Sequence, residues 1–83
     1  MNIPKVEKGK FIIIISDFNT GIVLNEDGSN YLGTGNSYYK IMNNHSDAEE
    51  YALNEIYTKK RNVEISIYDN EAFFVKMFRP NSG

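Results

Sequence analysis

The residues that could most readily take part in catalysis in this chain of 83 residues lie around its single histidine, His45. Ser46 and Asp47 follow it directly, so a base, a hydroxyl and a carboxylate occur together. A catalytic triad needs these groups aligned through hydrogen bonds, which adjacent residues at the start of a helix do not achieve. We therefore predict no catalytic residue here and interpret His45 as an exposed residue that precedes a helix cap.

Acidic side chains offer a second kind of chemistry, the binding of a divalent cation as in nucleases. The candidates are Asp17, Asp27, Asp47, Glu49 and Glu50. The sequence does not bring these residues together, and solvated surface charges are the commoner case. A metal-dependent enzyme is thus one alternative function, while the prediction itself includes no metal site and no cofactor.

Two glycine-containing segments resemble ligand-binding loops but lack essential parts of them. Asp17-x-Asn19-x-Gly21 starts like a calcium loop, yet Gly28 stands where a bidentate Glu is required. Gly33-Thr34-Gly35 lacks the third glycine and the following helix of a dinucleotide-binding motif. We interpret both segments as turns.

Composition predicts one small globular domain that spans residues 1–83. The hydrophobic fraction is 41% and the charged fraction 24%, as in ordinary folded proteins. The net charge of -2 makes nucleic acid an improbable partner, since nucleic-acid modules are typically basic. The longest apolar run, Phe11 to Ile15, is too short for a membrane span, so no membrane partner and a cytoplasmic location are predicted.

The first half of the chain predicts three strands. The β-branched run from Phe11 to Ile15 indicates a central strand, and Ile22 to Leu24 indicates a second strand after a turn. Alternation from Ser37 to Met42 indicates a third strand. Residues 1–9 are predicted to form a flexible lead-in and residues 25–37 a mobile loop.

The best-marked element is an amphipathic helix from Asp47 to about Lys60. Ser46 and Glu49 match the spacing of a capping box. Basic residues at 59–61 would complement the helix dipole. The predicted apolar stripe consists of Ala48, Ala52, Leu53 and Ile56, flanked by Tyr51.

Two further strands complete an α+β fold with a five-stranded antiparallel sheet. Val63 to Tyr68 alternates clearly, and Ala72 to Arg79 is apolar on both faces. The element order is β-β-β-α-β-β. Short connections and right-handed crossovers favour the spatial order 3-2-1-5-4.

One helix covers only one face of such a sheet, so the other face should expose Ile12, Ile14 and aromatic side chains. Three explanations remain open for this surface. The sheet dimerises face to face or edge to edge, it docks another protein, or loop 25–37 folds beneath it.

These considerations predict a small non-enzymatic protein–protein interaction module that self-associates as a homodimer. It would act as a regulator or inhibitor by binding a larger protein. The predicted interaction face consists of Tyr68, Phe74, Lys76 and Phe78, since aromatic residues are enriched at interface cores.

The leading alternative is single-stranded nucleic-acid binding through an aromatic sheet face. Lys40, Lys76 and Arg79 would supply its positive charge. This alternative requires these three cations to lie beside the aromatic rings.

Overall fold

A computed structural model describes residues 3–25, 29–31 and 38–80 of the chain. A nine-residue helix continues directly into a π-helical segment, and four strands flank this pair in the sequence. The elements are β1 (Phe11–Asp17), β2 (Tyr39–Met42), α1 (His45–Leu53), the π-helical segment (Asn54–Thr58), β3 (Val63–Tyr68) and β4 (Phe74–Phe78).

The four strands form one antiparallel sheet in the order β2-β1-β3-β4. The predicted α+β class, the antiparallel sheet and the single helical region are confirmed. The prediction of five strands is wrong, because Ile22 to Leu24 makes only isolated bridges, at Val23 with Ser16 and at Leu24 with Asn30. β2 instead pairs directly with β1, where Ile12 lies opposite Ile41.

The predicted spatial order 3-2-1-5-4 is also wrong at its other end. β3 rather than β4 lies beside β1, with register partners from Ile12 opposite Tyr68 to Asp17 opposite Val63. This order buries Ile65 and Ile67 completely in the middle of the sheet. Burial of apolar surface therefore favours β3 inside and leaves β4 as an edge strand. The Ile-rich strand β1 is central, as predicted.

Helix α1 starts two residues before its predicted first residue, Asp47. Asn44 is the N-cap, and its Oδ1 accepts a hydrogen bond from the backbone N–H of Asp47 at 2.8 Å. The predicted capping box of Ser46 and Glu49 is therefore wrong, and Asn44 with Asp47 takes its place. Asn is at least as good an N-cap residue as Ser.

The helical region also ends earlier than predicted, in the π-helical segment. The N–H of Lys59 donates to the carbonyl of Asn54 at 2.9 Å, and Lys60 adopts a left-handed conformation with φ of 55°. Ala48, Ala52 and Ile56 are buried as predicted. Leu53 is exposed instead, which corrects its place in the apolar stripe.

The core has one part on each face of the sheet. On the helix face, Ile13 and Ile15 of β1 pack in one cluster with Ala48 and Ala52. On the second face, Ile12 and Ile14 are only 0% and 3% exposed. The remaining residues that pack on this second face are Ile3, Val6, Val23, Tyr31, Tyr38, Tyr39 and Tyr68.

The expectation that the second face exposes Ile12 and Ile14 is therefore wrong. Tyr31, from the predicted loop 25–37, and Ile3 and Val6, from the predicted lead-in, contribute to its cover. The N–H of Val6 donates to the carbonyl of Asn70 at 2.9 Å, which ties the predicted lead-in to the turn after β3. Residues 26–28 and 32–37 of the predicted mobile loop lie outside the described residues. No helix in the described part of the chain is long and apolar enough to cross a membrane.

Candidate interaction surface

Exposed apolar side chains concentrate on and beside the edge strand β4. Within the described residues β4 pairs with β3 on one side, and its other side carries no strand. We define the β4 edge as Phe73, Phe74, Val75 and Met77, whose exposed fractions range from 38% to 64%. An unpaired edge strand presents backbone N–H and C=O groups to any chain that can pair with it.

A tight three-residue loop positions the start of the β4 edge. The N–H of Asp69 donates to the carbonyl of Phe73 at 2.9 Å, and Asp69 Oδ1 accepts from the backbone N–H groups of Glu71 and Phe73. Ala72 lies in the left-handed region with φ of 70°. A left-handed residue at this place is typical of three-residue hairpin loops, so local chemistry fixes where β4 begins.

An irregularity in β4 divides the predicted interaction face between the two faces of the sheet. Ile67 lies opposite Lys76 but Tyr68 lies opposite Phe74, so Val75 is an extra residue on β4. Such a bulge reverses the alternation of side chains along the strand. The structure therefore places two of the four predicted residues on each face of the sheet. Their role in binding stays a prediction.

One pair of these residues lies on the helix face. Phe78 packs against the helix-face core, and Lys76 Nζ lies 4.8 Å from the centroid of its ring. On the second face, the rings of Tyr68 and Phe74 meet edge to face with centroids 5.9 Å apart. Phe78 is therefore partly a core residue, whereas Phe74 is largely exposed.

The two cations at the β4 edge already have carboxylate partners. Lys76 Nζ lies 3.2 Å from Glu49 Oε2, and Arg79 Nε lies 2.7 Å from Glu64 Oε2. Each ion pair cancels a positive charge beside the exposed apolar residues. The surface therefore suits an uncharged apolar segment better than a strongly acidic ligand.

The cations of the nucleic-acid alternative do not come together. Lys40 lies opposite Ile13 on β2, at the sheet edge farthest from β4, with its Nζ 5.7 Å from the centroid of the Tyr51 ring. Lys76 is at the other edge, and Arg79 pairs with Glu64. This arrangement lacks the row of cations beside aromatic rings that base stacking requires.

The acidic residues considered for a metal have local explanations. Asp17 Oδ1 accepts from the N–H groups of Asn19 and Thr20, and Glu49 pairs with Lys76. The residues that the structure describes contain no group of three or more potential ligands placed to hold a metal ion. Asp27, another of the five candidates, lies outside that part of the chain.

His45 contacts structural neighbours rather than a nucleophile. Its Nδ1 lies 3.3 Å from Glu49 Oε1, one helical turn along α1. Its ring meets that of Phe11 edge to face, with centroids 5.4 Å apart. His45 is exposed, as predicted, but it is the first residue of α1 and follows the cap Asn44, so the prediction that it precedes the cap is wrong.

The sequence did not reveal one buried charge, Glu55. Its side chain is only 5% exposed, and its Oε1 accepts a hydrogen bond from Arg61 Nη1 at 2.9 Å. Its Oε2 lies 2.8 Å from Lys59 Nζ as an ion pair without good hydrogen-bond alignment. Burial acts to raise the pKa of Glu55, but the two cations outweigh it and hold the pKa below the usual value.

Sequence reasoning also missed the contribution of Phe73, Val75 and Met77 to the exposed surface. Their signal was present in the sequence, because the last strand has no polar face. A strand that is apolar on both sides is typical of a sheet interior, so its edge position was not evident.

Comparison with known proteins gives no information on what this surface binds. No protein-family model, curated protein or solved structure matches the chain. The choice of the β4 edge as the candidate functional surface therefore rests on its contacts and exposure alone.

Proposed function

We propose that this chain is a non-enzymatic protein–protein interaction module that binds another protein chain through the β4 edge. The observation that carries the proposal is the concentration of exposed apolar side chains on and just before β4, the edge strand, which among the described residues pairs only with β3. These side chains are Phe73, Phe74, Val75 and Met77. Native proteins usually protect such edges with charges, proline or a covering segment. On β4 the one cation, Lys76, is paired with Glu49, the bulge is confined to Val75, and Pro80 follows the strand, so the exposed side chains of the edge stay mostly apolar. Such an edge is typical of a surface that another chain covers.

Strand addition is the binding mode that this surface supports best. An extended segment beside β4 would receive main-chain hydrogen bonds along the strand, while alternate side chains would contact the exposed apolar residues. The ion pairs of Lys76 and Arg79 leave little net charge for a partner to neutralise. Affinity would come from backbone pairing and apolar burial.

Such a module acts without chemistry of its own. By covering a strand or surface of a larger protein, it would regulate or inhibit that protein through occlusion. The structural support for this role is the same β4 edge. A cytoplasmic location stays a prediction.

Photo-crosslinking tests the surface even when the partner is unidentified. Benzoylphenylalanine placed at Phe73, the most exposed apolar side chain on the β4 edge, should form covalent adducts with another protein chain in living cells. The matched control is the same residue at Ile41, which is 45% exposed on β2 at the opposite edge of the sheet. Equal adducts at both positions, or none at Phe73, would contradict the proposal.

A further inference from the structure

We infer that the chain which occupies the β4 edge in the purified protein is a second copy of itself, paired antiparallel with Met77 on the two-fold axis. This inference rests on the proposed function and names its partner. Pairing of β4 with β4 joins two four-stranded sheets into one continuous sheet. Because both copies use the same strand, the contact closes as a dimer and does not propagate.

Charge permits two copies to approach at this edge. Lys76 and Arg79 are the charged residues of the strand and its next position, and each is paired with a carboxylate of its own chain. The β4 edge therefore carries little net charge, which lowers the repulsion between two copies. The other edge strand, β2, is a weaker candidate because it has four residues, of which Ile41 is the exposed large apolar one.

Symmetry limits the possible registers. Residues directly opposite in an antiparallel pair point to the same face, so a symmetric pair places one residue type opposite itself. On β4 the interior choices for that residue are Val75, Lys76 and Met77, and Phe74 and Phe78 are the choices at the strand ends.

Four of these choices conflict with the structure of β4. Phe74 on the axis would set residues of the three-residue loop opposite Met77 and Phe78, where no strand is present to pair with them. Val75 is the extra residue of the bulge, where regular pairing is disrupted. Lys76 on the axis would set two ammonium groups on one face opposite each other, which is destabilising. Phe78 on the axis would place Pro80, which has no N–H to donate, opposite Lys76.

Met77 on the axis avoids these conflicts. Lys76 then lies opposite Phe78 of the second copy, and it already packs over the Phe78 ring of its own chain at 4.8 Å. On the second face, Met77 lies opposite Met77 of the second copy. Because Val75 is the extra residue of the bulge, Phe74 lies opposite Arg79 of that copy, and Pro80 falls beyond the start of β4. Met77 is thus covered by an apolar side chain, and Phe78 and Phe74 are covered by the aliphatic stems of Lys76 and Arg79.

Single-cysteine crosslinking tests this register, since the chain contains no cysteine of its own. Cα atoms directly opposite in an antiparallel pair are about 4.5–5.5 Å apart, within the range of about 4.4–6.8 Å that a disulfide spans. In the proposed dimer, Met77→Cys should therefore form a disulfide with its copy under mild oxidation by diamide. The two residues at position 75 would be separated by four residues along the strand, about 13 Å.

Val75→Cys and Ile41→Cys are the matched controls, because both positions are exposed on edge strands. We expect at least about ten times more crosslinked dimer for Met77→Cys than for either control. The expected difference should vanish in denaturing urea, and circular dichroism should show that all three variants fold.

Each other outcome overturns the inference in a different way. Preferential crosslinking of Val75→Cys would refute the register, and that of Ile41→Cys would refute the choice of edge. Sedimentation velocity that shows wild-type monomer at all concentrations would refute self-pairing. In that last case photo-adducts at Phe73 with a different protein would still support the proposed function, whereas their absence would refute both.

Discussion

Replacing the buried carboxylate of Glu55 by an amide should destabilise the fold more than any comparable change at the surface. Glu55→Gln keeps the size and shape of the side chain but removes its charge. Glu55 contacts Lys59 and Arg61, which follow the π-helical segment, so the change loosens the connection between the helix and β3.

The expected loss of stability follows from how exposed the side chains of Glu55, Lys59 and Arg61 are. Removing one partner of a fully buried ion pair costs about 3–5 kcal/mol, because the other charge stays buried and unpaired. Here Lys59 and Arg61 are 58% and 26% exposed and stay hydrated. Arg61 can also donate to the new amide oxygen. We therefore expect a loss of about 1–2 kcal/mol, nearer to the value of one hydrogen bond to a charged group.

Thermal unfolding followed by circular dichroism measures this loss. For a domain of this size, 1 kcal/mol shifts Tm by about 4–8 °C. Glu64→Gln is the matched control, because Glu64 pairs with Arg79, which is 63% exposed. An exposed pair contributes about 0–1 kcal/mol, so this control should change Tm little.

Acid should remove the difference between wild type and Glu55→Gln. The pKa of Glu55 is lower in the folded state than its usual value of 4.5, because Lys59 and Arg61 outweigh the effect of burial. Its contribution is therefore complete above the unfolded pKa and is lost as the pH falls through the folded pKa. Equal stability of the two proteins at pH 7, or a difference that persists at the lowest pH where both fold, would refute this account of Glu55.

Three further predictions concern the cap, the hairpin and β4, all measured as free energies of unfolding in urea. Asn44→Ala should cost about 1 kcal/mol while Ser46→Ala costs little. A larger loss for Ser46→Ala than for Asn44→Ala would show that Ser46 is the cap. Ala72→Gly should stabilise by about 0.5–1 kcal/mol because Ala72 has φ of 70°, and a loss would show that its methyl group packs usefully. Phe78→Ser should cost about 2–4 kcal/mol and Phe73→Ser less than about 1 kcal/mol, since only Phe78 packs against the core, and equal costs would contradict that assignment.

The sequence predicted which helices and strands form better than it predicted which strands lie side by side. The β-branched run at the start of β1 predicted a central strand, and alternation between Val63 and Tyr68 predicted β3. Spacing also identified Ala48 and Ala52 as buried helix residues. These features are local, because side-chain periodicity follows directly from helix and strand geometry.

Strand order and helix start depend on competitions that local patterns do not decide. Asn44 with Asp47 and Ser46 with Glu49 are overlapping candidate capping pairs, and their residue types do not show that the helix uses the first. The position of β3 beside β1 depends on the burial of Ile65 and Ile67 in the complete sheet. Tertiary packing, rather than the local pattern, therefore sets the strand order.

The candidate site was predicted in its location but not in its geometry. Phe74 and Lys76 were expected on one face because regular strands alternate. The extra residue Val75 places them on opposite faces, and no residue type at this position signals a bulge. Phe73, Val75 and Met77 were missed because an apolar strand at an edge has the same sequence pattern as one inside a sheet.

Sedimentation velocity on wild type and Met77→Lys over a hundredfold range of concentration tests most directly whether the β4 edge binds another chain. The substitution would place two ammonium groups opposite each other at the proposed two-fold axis, where like charges are destabilising. The account predicts that wild type shifts from monomer to dimer as concentration rises, while folded Met77→Lys stays monomeric. The same sedimentation behaviour for both proteins, whether monomeric or dimeric, would contradict pairing of two copies through β4.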